Sequence, residues 1–412
     1  MQEQLLREIA NQYLVPLFSG AYLTPAIDKK TSSQLVAWRD PMSIAFKVER
    51  SDNYRLILTR PQRFAQPGEV TLTEYQVVQA FVDIVGGMAS QLASDLRHDL
   101  LSTFQRRVVA RAVQGAARES LILNGIDRLA HWGNRLYEGA PISASIGFRN
   151  LPQSDGITLE ELSKSDFGAV ISNGFDTLLE FDFSGRLVSH QSNLSTSGSV
   201  PSYCPLRQAY IAEWTTKKET RVALSLNRLG EVLIFRNQEL LFARRSGQWH
   251  FLTHDPVIMQ MGIPKDTQLR KAIYETCLDA SFARTGACIG VVGFDDRQKW
   301  KEVVVHKDDY LSVPTSSKSQ TLKKIIGSRT YTQLDRRLRQ ELAAIDGATV
   351  LSHSGQVLAI GAILKIDGGS TGGGRLAAAK ALSKVGLGIK VSQDGSITGF
   401  RKGRKDAAFK VM

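Results

Sequence analysis

Hydrophobic and polar positions in the first part of the chain follow two different periods. Within residues 5–14, apolar side chains recur every three or four positions, which predicts an amphipathic helix. The runs SIAFKVE and YRLILTR are short and contain β-branched and aromatic residues, so they predict strands. Helical spacing dominates from about residue 74 to residue 136. Residues 1–150 are therefore predicted to form one domain that begins mixed and becomes helical.

The middle of the chain has the pattern of a β-meander. Residues 141–155 are predicted to form a linker, after which short apolar runs alternate with turn residues as far as residue 262. This pattern predicts a strand-rich domain over residues 158–262. The predicted turns lie at Ser184-Gly185, Leu229-Gly230, Asn237 and Ser246-Gly247.

Helices and strands interleave in the last third of the chain. TQLRKAIYETCLDASF and YTQLDRRLRQELAAI have helical spacing, and each is followed by an apolar segment of strand length. Such alternation predicts an α/β domain over residues 266–402. The whole chain is therefore predicted to be a multidomain protein of mixed α/β (α+β) class. Residues 403–412 are rich in basic side chains and are predicted to form a solvated tail.

Length and composition agree with a globular chain of two or three domains. The 412 residues exceed the size of one ordinary core, and 42% of them are apolar while 22% are charged. No apolar run approaches the ~18 residues that a membrane span requires, so no membrane partner is predicted. Cys204, Cys277 and Cys288 have no metal-ligand spacing and are too few for a disulfide framework, which predicts a cytoplasmic location.

The formal net charge of +12 favours partners that carry phosphate, such as nucleotides or nucleic acid. Part of this charge lies in the basic tail. Another part lies on one predicted helix, in Arg106, Arg107, Arg111 and Arg118. Such arginines can contact a nucleic-acid backbone, but a solvated helix face is their commoner role. Because no nucleic-acid reader motif accompanies the charge, nucleic-acid binding is less favoured than nucleotide binding.

The stretch DGGSTGGGR, residues 367–375, places five glycines in a nine-residue loop between a predicted strand and an alanine-rich helix. Ordering so many glycines is entropically costly, which favours a functional loop over a plain connection. The loop has neither the Walker A nor the dinucleotide-binding pattern. Its amide groups and the helix N-terminus can nevertheless form an anion site. The predicted phosphate-binding residues are Gly369, Ser370, Thr371, Gly372, Gly373, Gly374 and Arg375.

Two aspartates of the same region are candidate metal ligands. Asp346, in the segment Asp346-Gly347-Ala348, stands between a predicted helix and a predicted strand. A carboxylate there can hold Mg²⁺ or Mn²⁺, while the glycine admits another group close to the backbone. Asp394, two residues after Ser392, is the second candidate. Taken alone, the Asp-Gly-Ala segment is also compatible with a simple helix-to-strand turn.

In combination, these motifs resemble the diadenylate cyclase domain of bacterial DNA-integrity scanning proteins and their relatives. Members of that family have an Arg-Thr-Gly-Ala strand entry, matched by residues 284–287, and an Asp-Gly-Ala segment, matched by residues 346–348. The segment TGGGRLAAAKALSKVGLGIKVSQDGSI stands where the family has Gly-Thr-Arg-His-Arg at a helix start, then a Val-Ser strand with acidic residues. The resemblance covers residues 268–401.

The resemblance implies an activity, a cofactor and an assembly. The family condenses two ATP molecules into cyclic di-AMP, and two domains face each other, each holding one ATP and a metal ion. It implies that Asp346 binds the metal and that Arg375 contacts phosphate, both as catalytic residues. It also implies that Gly347, Ala348 and Ser392 belong to the nucleotide site, and that the chain forms a homo-oligomer through this domain.

The chain departs from the family pattern at two places. Only Arg375 falls near the family's Arg-His-Arg segment, and Gln393 replaces the acidic residue that follows Val-Ser, with Asp394 next to it. Two hypotheses therefore stay open: an active nucleotidyltransferase of the diadenylate cyclase type, and a nucleotide-binding sensor on the same fold. A nucleic-acid-binding protein is the third and least favoured hypothesis.

Overall fold

The structure is a computed structural model, and the residues it describes are 3–24, 34–48, 55–93, 101–164, 166–196, 198–216, 220–296, 298–312, 314–366 and 373–412. The chain divides into two compact units, the N-terminal unit Met1–Thr253 and the C-terminal unit His254–Met412. Both units combine helices with β-sheet, which confirms the predicted mixed α/β class. Across the described ranges, no helix combines the length and the apolar character needed to cross a bilayer.

The N-terminal unit is built from short strands and helices of moderate length. Its helices are α1 (Glu3–Ile9), α2 (Glu74–Gly87), α3 (Phe104–Gln114), α4 (Glu119–Gly133), α5 (Leu159–Leu162) and α6 (Ala209–Trp214). Its strands are β1 (Tyr22–Thr24), β2 (Val36–Asp40), β3 (Ser43–Phe46), β4 (Leu56–Thr59), β5 (Leu136–Tyr137), β6 (Ala140–Pro141), β7 (Ala144–Arg149), β8 (Leu178–Asp182), β9 (Leu187–Gln191), β10 (Val222–Leu226), β11 (Val232–Arg236), β12 (Glu239–Arg245) and β13 (Gln248–Phe251).

The strands of this unit form two larger sheets that share a hydrophobic core with α2, α3 and α4. The first sheet has the order β1-β4-β3-β2 and is antiparallel. The second has the order β13-β12-β11-β10-β7-β8-β9. Its strands from β10 to β13 are consecutive antiparallel neighbours, so the predicted meander is confirmed for this part of the chain.

The predicted linker, residues 141–155, contains a central strand of this sheet instead. β7 pairs with β10 on one side and, in parallel, with β8 on the other. Both faces of β7 are covered, so the run ASIGFR lacks the alternation that marks a half-exposed strand. At Gly147, an added Cβ would stand only 2.5 Å from the ring of Trp214. The boundary predicted between residues 150 and 158 therefore falls inside one compact unit.

The C-terminal unit begins at His254, before the predicted boundary at residue 266. Its helices are α7 (His254–Met261), α8 (Thr267–Ala283), α9 (Trp300–Val303), α10 (Ser317–Ile326), α11 (Arg336–Ala343) and α12 (Gly374–Lys384). Its strands are β14 (Ala287–Val292), β15 (Ala348–Leu351), β16 (Val357–Ala362), β17 (Gly386–Val391), β18 (Ile397–Arg401) and β19 (Phe409–Val411). They form one sheet of order β16-β15-β14-β17-β18-β19, in which β14 and β15 run parallel and the other neighbours run antiparallel.

Helix α8 is the buried helix of this unit, and two ion pairs join it to α11. Asp279 accepts hydrogen bonds from Arg336 at 2.7 and 2.8 Å, and Glu275 accepts one from Arg339 at 2.7 Å. These charges are largely withdrawn from water, and the cost of that desolvation offsets much of the attraction within each pair. The main effect of the pairs is therefore to fix the position of α11 on α8. Helix α11 ends at Ala343, three residues before Asp346, so the ion pairs position the helix that leads into the Asp-Gly-Ala turn.

Helix α12 approaches the sheet closely because glycines in β14 and β17 leave room for it. A Cβ added at Gly388 would stand 1.8 Å from the carbonyl oxygen of Ala379, and one at Gly290 would stand 2.7 Å from the Leu382 side chain. Glycine is required at such points because the helix backbone lies directly against the strand. The close packing sets the position of α12, and with it the position of the helix N-terminus.

Residues 403–412, predicted to be a solvated basic tail, end in an edge strand. β19 pairs with β18, and Phe409 is fully buried with its ring against Gly399. Residues 402–406 are exposed, so the basic character lies in the turn that precedes the strand. A three-residue strand is too short to produce a recognisable period, which is why the sequence pattern did not reveal it.

Candidate functional site

Three sequence motifs meet at one edge of the six-stranded sheet. Because β14 and β15 are parallel, the segments that precede them, residues 284–287 and 346–348, lie next to each other. β17 runs antiparallel to β14 and ends beside Ala287, so the segment that follows β17 reaches the same edge. Helix α12 begins there too, with the carbonyl oxygen of Arg375 4.0 Å from the sulfur of Cys288.

A cavity of about 360 Å³ opens at this edge. It has a carboxylate on one side, a helix N-terminus with an arginine on another, and an apolar wall. Four of the residues predicted from the sequence line it: Asp346, Gly347, Gly374 and Arg375. The remaining lining residues are Cys288, Ala362, Ile363, Leu364, Ile366 and Ala378.

The Asp346 turn is held against the backbone of β16 by two glycines. Gly347 has a φ of +101°, and a Cβ added there would stand 2.5 Å from the carbonyl carbon of Gly361. Gly361 has a φ of +61°, so both positions demand glycine on conformation as well as on space. The Asp346 side chain is exposed and accepts a hydrogen bond from the Gly347 N–H at 3.1 Å. Ala348 is buried as the first residue of β15.

The N-terminus of α12 also lines the cavity, through Gly374 and Arg375. Gly373 occupies the N-cap position with a φ of +81° and, having no side chain, leaves the first amides without a side-chain cap. Its carbonyl accepts hydrogen bonds from the N–H groups of Leu376 and Ala377, which closes the first turn. The rest of the predicted phosphate loop lies outside the described residues, namely Gly369, Ser370, Thr371 and Gly372.

Arg375 connects the cavity to the Arg-Thr-Gly-Ala segment. Its guanidinium lies against Gly286, where an added Cβ would stand 2.8 Å from Nη1, and Nη2 is 3.5 Å from the carbonyl oxygen of Thr285. Gly286 has a φ of +66°, so this contact also depends on glycine. The Arg375 side chain is half-buried. A guanidinium has five N–H donors, and the 3.5 Å contact with the Thr285 carbonyl engages only one of them, so the others can bind a ligand.

Sequence reasoning did not identify the apolar wall or Cys288. The wall consists of Ala362, Ile363, Leu364 and Ile366, part of the run GAILKI that was interpreted only as a strand. Burial raises the pKa of the Cys288 thiol to about 12, although the positive charge of Arg375 opposes that shift. Cys288 therefore lines the cavity as a neutral thiol, and nothing in the sequence distinguishes it from a core cysteine.

Ser392 and Asp394 are not among the residues that line this cavity. The Asp394 carboxylate accepts hydrogen bonds from the Ser396 N–H and hydroxyl, both at 3.0 Å, and the backbone hydrogen bond is the main cause of its lowered pKa. Ser392 is buried and its hydroxyl lies 3.2 Å from that of Ser396. Both residues therefore serve the turn between β17 and β18, which Arg284 also contacts at the Asp394 carbonyl.

The described part of the chain contains no group of three or more His, Cys, Asp or Glu side chains arranged to hold a metal ion. Asp346 thus contributes a single carboxylate to the cavity. A hard divalent cation could complete its coordination there only with oxygen ligands from a substrate or from water.

The four arginines of the predicted basic helix all contact side chains of the N-terminal unit itself. Three of them form ion pairs at 2.5–2.7 Å: Arg106 with Asp127, and both Arg107 and Arg111 with Glu119. The fourth lies over an aromatic ring, with 3.7 Å between its guanidinium carbon and the ring centroid. These contacts explain the arginines by the packing of α3 and α4, and they give no support to nucleic-acid binding by this helix.

Comparison with known proteins gives little further information. No family model and no curated protein matches the chain. Among solved structures, it is similar to a double mutant of DacA from Staphylococcus aureus, with 16% identity and a TM-score of 0.24 over 34% of this chain and 87% of that chain. It is also similar to a hypothetical membrane spanning protein from Bacillus cereus, with 14% identity and a TM-score of 0.23 over 39% of this chain and 78% of that chain. At these TM-scores the similarity supports no conclusion about function.

Proposed function

We propose that the C-terminal unit is a nucleotidyltransferase of the diadenylate cyclase type. It would condense two molecules of ATP, or of a related nucleoside triphosphate, into a cyclic dinucleotide. Each 3′-hydroxyl would lose its proton and attack the α-phosphate of the other nucleotide, and the α–β phosphoanhydride bond would break with release of pyrophosphate. The observation that carries this proposal is the single cavity shared by the Asp346 carboxylate, Arg375 and the N-terminus of α12. The motif resemblance supports the same activity, because its two best-matched segments adjoin this cavity.

A divalent metal, Mg²⁺ or Mn²⁺, fits Asp346 if the nucleotide supplies the other oxygen ligands. The exposed carboxylate keeps lone pairs open to a cation beyond the hydrogen bond that it accepts from Gly347. Magnesium commonly binds one or two carboxylates together with substrate phosphates and water. When bound, the ion would polarise the phosphoryl oxygens and favour ionisation of the attacking 3′-hydroxyl.

The phosphates would bind between Asp346 and α12. The first N–H groups of a helix have no intrahelical acceptor, and the helix dipole adds a partial positive charge at that end. Arg375 adds a permanent full charge with several donors beside those amides. Phosphoryl transfer is catalysed mainly by positioning and charge stabilisation. Backbone amides, one arginine and one metal ion would supply both at this site. The apolar wall would exclude water from the part of the cavity that it lines.

Replacing Arg375 by Gln should weaken ATP binding by roughly ten- to hundredfold, because a charge-assisted hydrogen bond contributes about 1.5–3 kcal/mol. Arg375→Lys should recover only part of this loss, since an ammonium keeps the charge but lacks the planar fork. Equilibrium titration with ATP and Mg²⁺ measures both effects. An exposed arginine of the same unit, Arg337 on α11, offers the control, and Arg337→Gln should leave the affinity unchanged. Equal affinities for wild type and Arg375→Gln would remove Arg375 from the site.

The proposal includes a second copy of the chain, because each 3′-hydroxyl must reach the α-phosphate of another nucleotide. Two exposed isoleucines of the cavity wall support an interface there: Ile363 is 48% exposed and Ile366 is 43% exposed. Single exposed apolar side chains are ordinary, but these two line one cavity, and Ile345, which is 38% exposed, directly precedes Asp346. Together they form a small apolar patch. A second copy placed on this patch would bring two cavities together.

Ile363→Lys should weaken self-association, because it would place two like charges in the interface. On dilution, the specific activity of the variant should therefore fall at higher protein concentrations than that of the wild type. Analytical ultracentrifugation and activity assays over the same range of protein concentration measure both quantities. Ile325→Lys, at a similarly exposed isoleucine of α10, is the matched control and should change neither. A protein that stays monomeric and fully active at every dilution would contradict the proposed assembly.

A second candidate function is a nucleotide-binding sensor without catalysis. The observation that favours it is the position of Asp394, whose carboxylate is engaged by Ser396 rather than directed to the cavity. A site with one acidic side chain and one arginine can hold a nucleotide and still stabilise the transition state too weakly for turnover.

Equilibrium binding of ATP, GTP, CTP and UTP to the full-length protein tests the nucleotide site shared by both candidates. Calorimetry should show saturable binding of at least one nucleotide that strengthens with Mg²⁺ or Mn²⁺ and weakens with EDTA. The sensor predicts this binding without any product, whereas the enzyme predicts both. Absence of binding for all four nucleotides, with either metal, would sink both functions.

A further inference from the structure

An ion pair outside the cavity is attached to the strand that supports the Asp346 turn. Lys318, in the first turn of α10, donates hydrogen bonds from Nζ to the Asp309 carboxylate at 2.8 Å and to the carbonyl oxygen of Gly361 at 2.9 Å. The other Asp309 oxygen accepts a hydrogen bond from the Ile363 N–H at 3.3 Å. The pair therefore binds two main-chain groups at the end of β16, one on either side of its last residue, Ala362.

Gly361 is the point at which this ion pair and the Asp346 turn meet. A Cβ added at Gly361 would stand 2.8 Å from the Asp346 carbonyl oxygen and 3.2 Å from the Lys318 ammonium nitrogen. Both groups thus occupy the space that a side chain would take. From the other side, Gly347 packs on the Gly361 carbonyl group that Lys318 holds. Movement of Gly361 would therefore move the turn that carries Asp346.

The β15–β16 ladder is irregular where the ion pair binds. Ala348 is paired with Ala362 and Val350 with Ala359, with a shift of register between them. A bulge of this kind leaves main-chain groups without their usual cross-strand partners. The Lys318 ammonium supplies a partner for one such group, the Gly361 carbonyl, and the Asp309 carboxylate accepts a hydrogen bond from the Ile363 N–H, one residue beyond the ladder.

An ordinary surface ion pair would contribute little, but this pair differs in its burial and its partners. The Asp309 side chain is only 11% exposed, while that of Lys318 is 42% exposed. Surface pairs between two mobile side chains are typically worth about 0–1 kcal/mol. Here both side chains are also bonded to the same short stretch of backbone, so the geometry of that stretch depends on them.

We propose that Lys318 and Asp309 are positioning residues for Asp346, which hold the Gly361 bulge and thereby set the distance between the carboxylate and the N-terminus of α12. The role in nucleotide binding rests on the proposed function. Neither residue touches the reacting atoms in this proposal. Supporting partners of a metal-binding carboxylate typically change metal affinity by about 10–100-fold when they are removed.

The test compares Lys318→Met with Lys318→Arg in the full-length protein by two readouts. The first is hydrogen–deuterium exchange of peptides that contain residues 345–348 and 361–364, without ligand. The second is the affinity for ATP with Mg²⁺. Lys318→Met should accelerate exchange in both segments and weaken ATP binding about tenfold. Lys318→Arg keeps a charged donor and should restore both. Lys299→Met, which removes the exposed Lys299–Asp296 pair of the same unit, is the control and should change neither.

The two readouts separate this inference from the proposed function. If Lys318→Met leaves exchange of the two segments unchanged, the positioning role is overturned whatever the nucleotide data show. If exchange accelerates while ATP affinity stays at the wild-type value, the role in the site is overturned. If the wild type binds no nucleotide, the proposed function fails, and the exchange rates alone decide whether the ion pair holds the bulge.

Discussion

Asp346→Asn should abolish the metal dependence of ATP binding and lower any dinucleotide synthesis by about 100-fold or more, as expected when one main electrostatic group of a site is lost. Asparagine has nearly the same shape as aspartate, and its amide oxygen can still accept the hydrogen bond from Gly347. The loss would therefore reflect the missing charge rather than a changed turn. Calorimetry with ATP at several Mg²⁺ concentrations, together with an activity assay, measures both effects.

Asp394→Asn is the matched control for this experiment. Asp394 is exposed, lies in the same unit and was the second metal-type carboxylate predicted from the sequence, but it does not line the cavity. Its replacement should leave metal-dependent ATP binding unchanged. If instead Asp394→Asn removed the metal dependence and Asp346→Asn did not, the assignment of the carboxylate would be reversed.

Gly388→Ala should destabilise the C-terminal unit by about 3 kcal/mol or more, at or beyond the upper end of what overpacking usually costs. The added methyl carbon would stand 1.8 Å from the Ala379 carbonyl oxygen, so the backbone of α12 would have to move away from β17. That movement would also displace the helix N-terminus from the cavity. The change in the free energy of unfolding is measured by urea denaturation. Hydrogen exchange in peptides that contain β14 and β17 serves as the readout, because it reports on the C-terminal unit alone.

Gly293→Ala is the control for the glycine prediction. Gly293 follows β14 in the same unit, and the nearest atom to an added Cβ is the Val385 carbonyl oxygen at 3.6 Å, an ordinary contact distance. Its effect should be within about 0.5 kcal/mol. Equal stability of the Gly388→Ala and Gly293→Ala variants would show that the backbone of α12 at Ala379 does not lie directly against Gly388.

The elements that could be predicted from the sequence are those with clear length and boundary signals. Helix α8 is a long run with helical spacing, and the strands from β10 to β13 are short apolar runs separated by turn residues. Strand β7 could not be predicted, because a central strand covered on both faces shows no alternation and its Gly147 is usually a sign of a loop. Strand β19 offered only Phe409 and Val411 as buried residues in a basic segment.

The candidate site could be predicted only in part, for a related reason. Asp346 and Arg375 were found because each adjoins glycines at the junction of a helix and a strand. Their convergence depends on the parallel pairing of β14 with β15, which residue order does not reveal. Lys318 and Asp309 look like ordinary surface charges in the sequence, and their role depends on a tertiary contact with one glycine.

The most direct test of the proposed nucleotidyltransferase activity is a search for product by mass spectrometry. The full-length protein is incubated with ATP, and with mixed nucleoside triphosphates, in the presence of Mg²⁺ or Mn²⁺. The proposed enzyme should produce a cyclic dinucleotide that requires the metal, increases with protein concentration and is absent with Asp346→Asn. Tight nucleotide binding without product would contradict the enzyme and leave the sensor, and product that persists undiminished with Asp346→Asn would contradict the site.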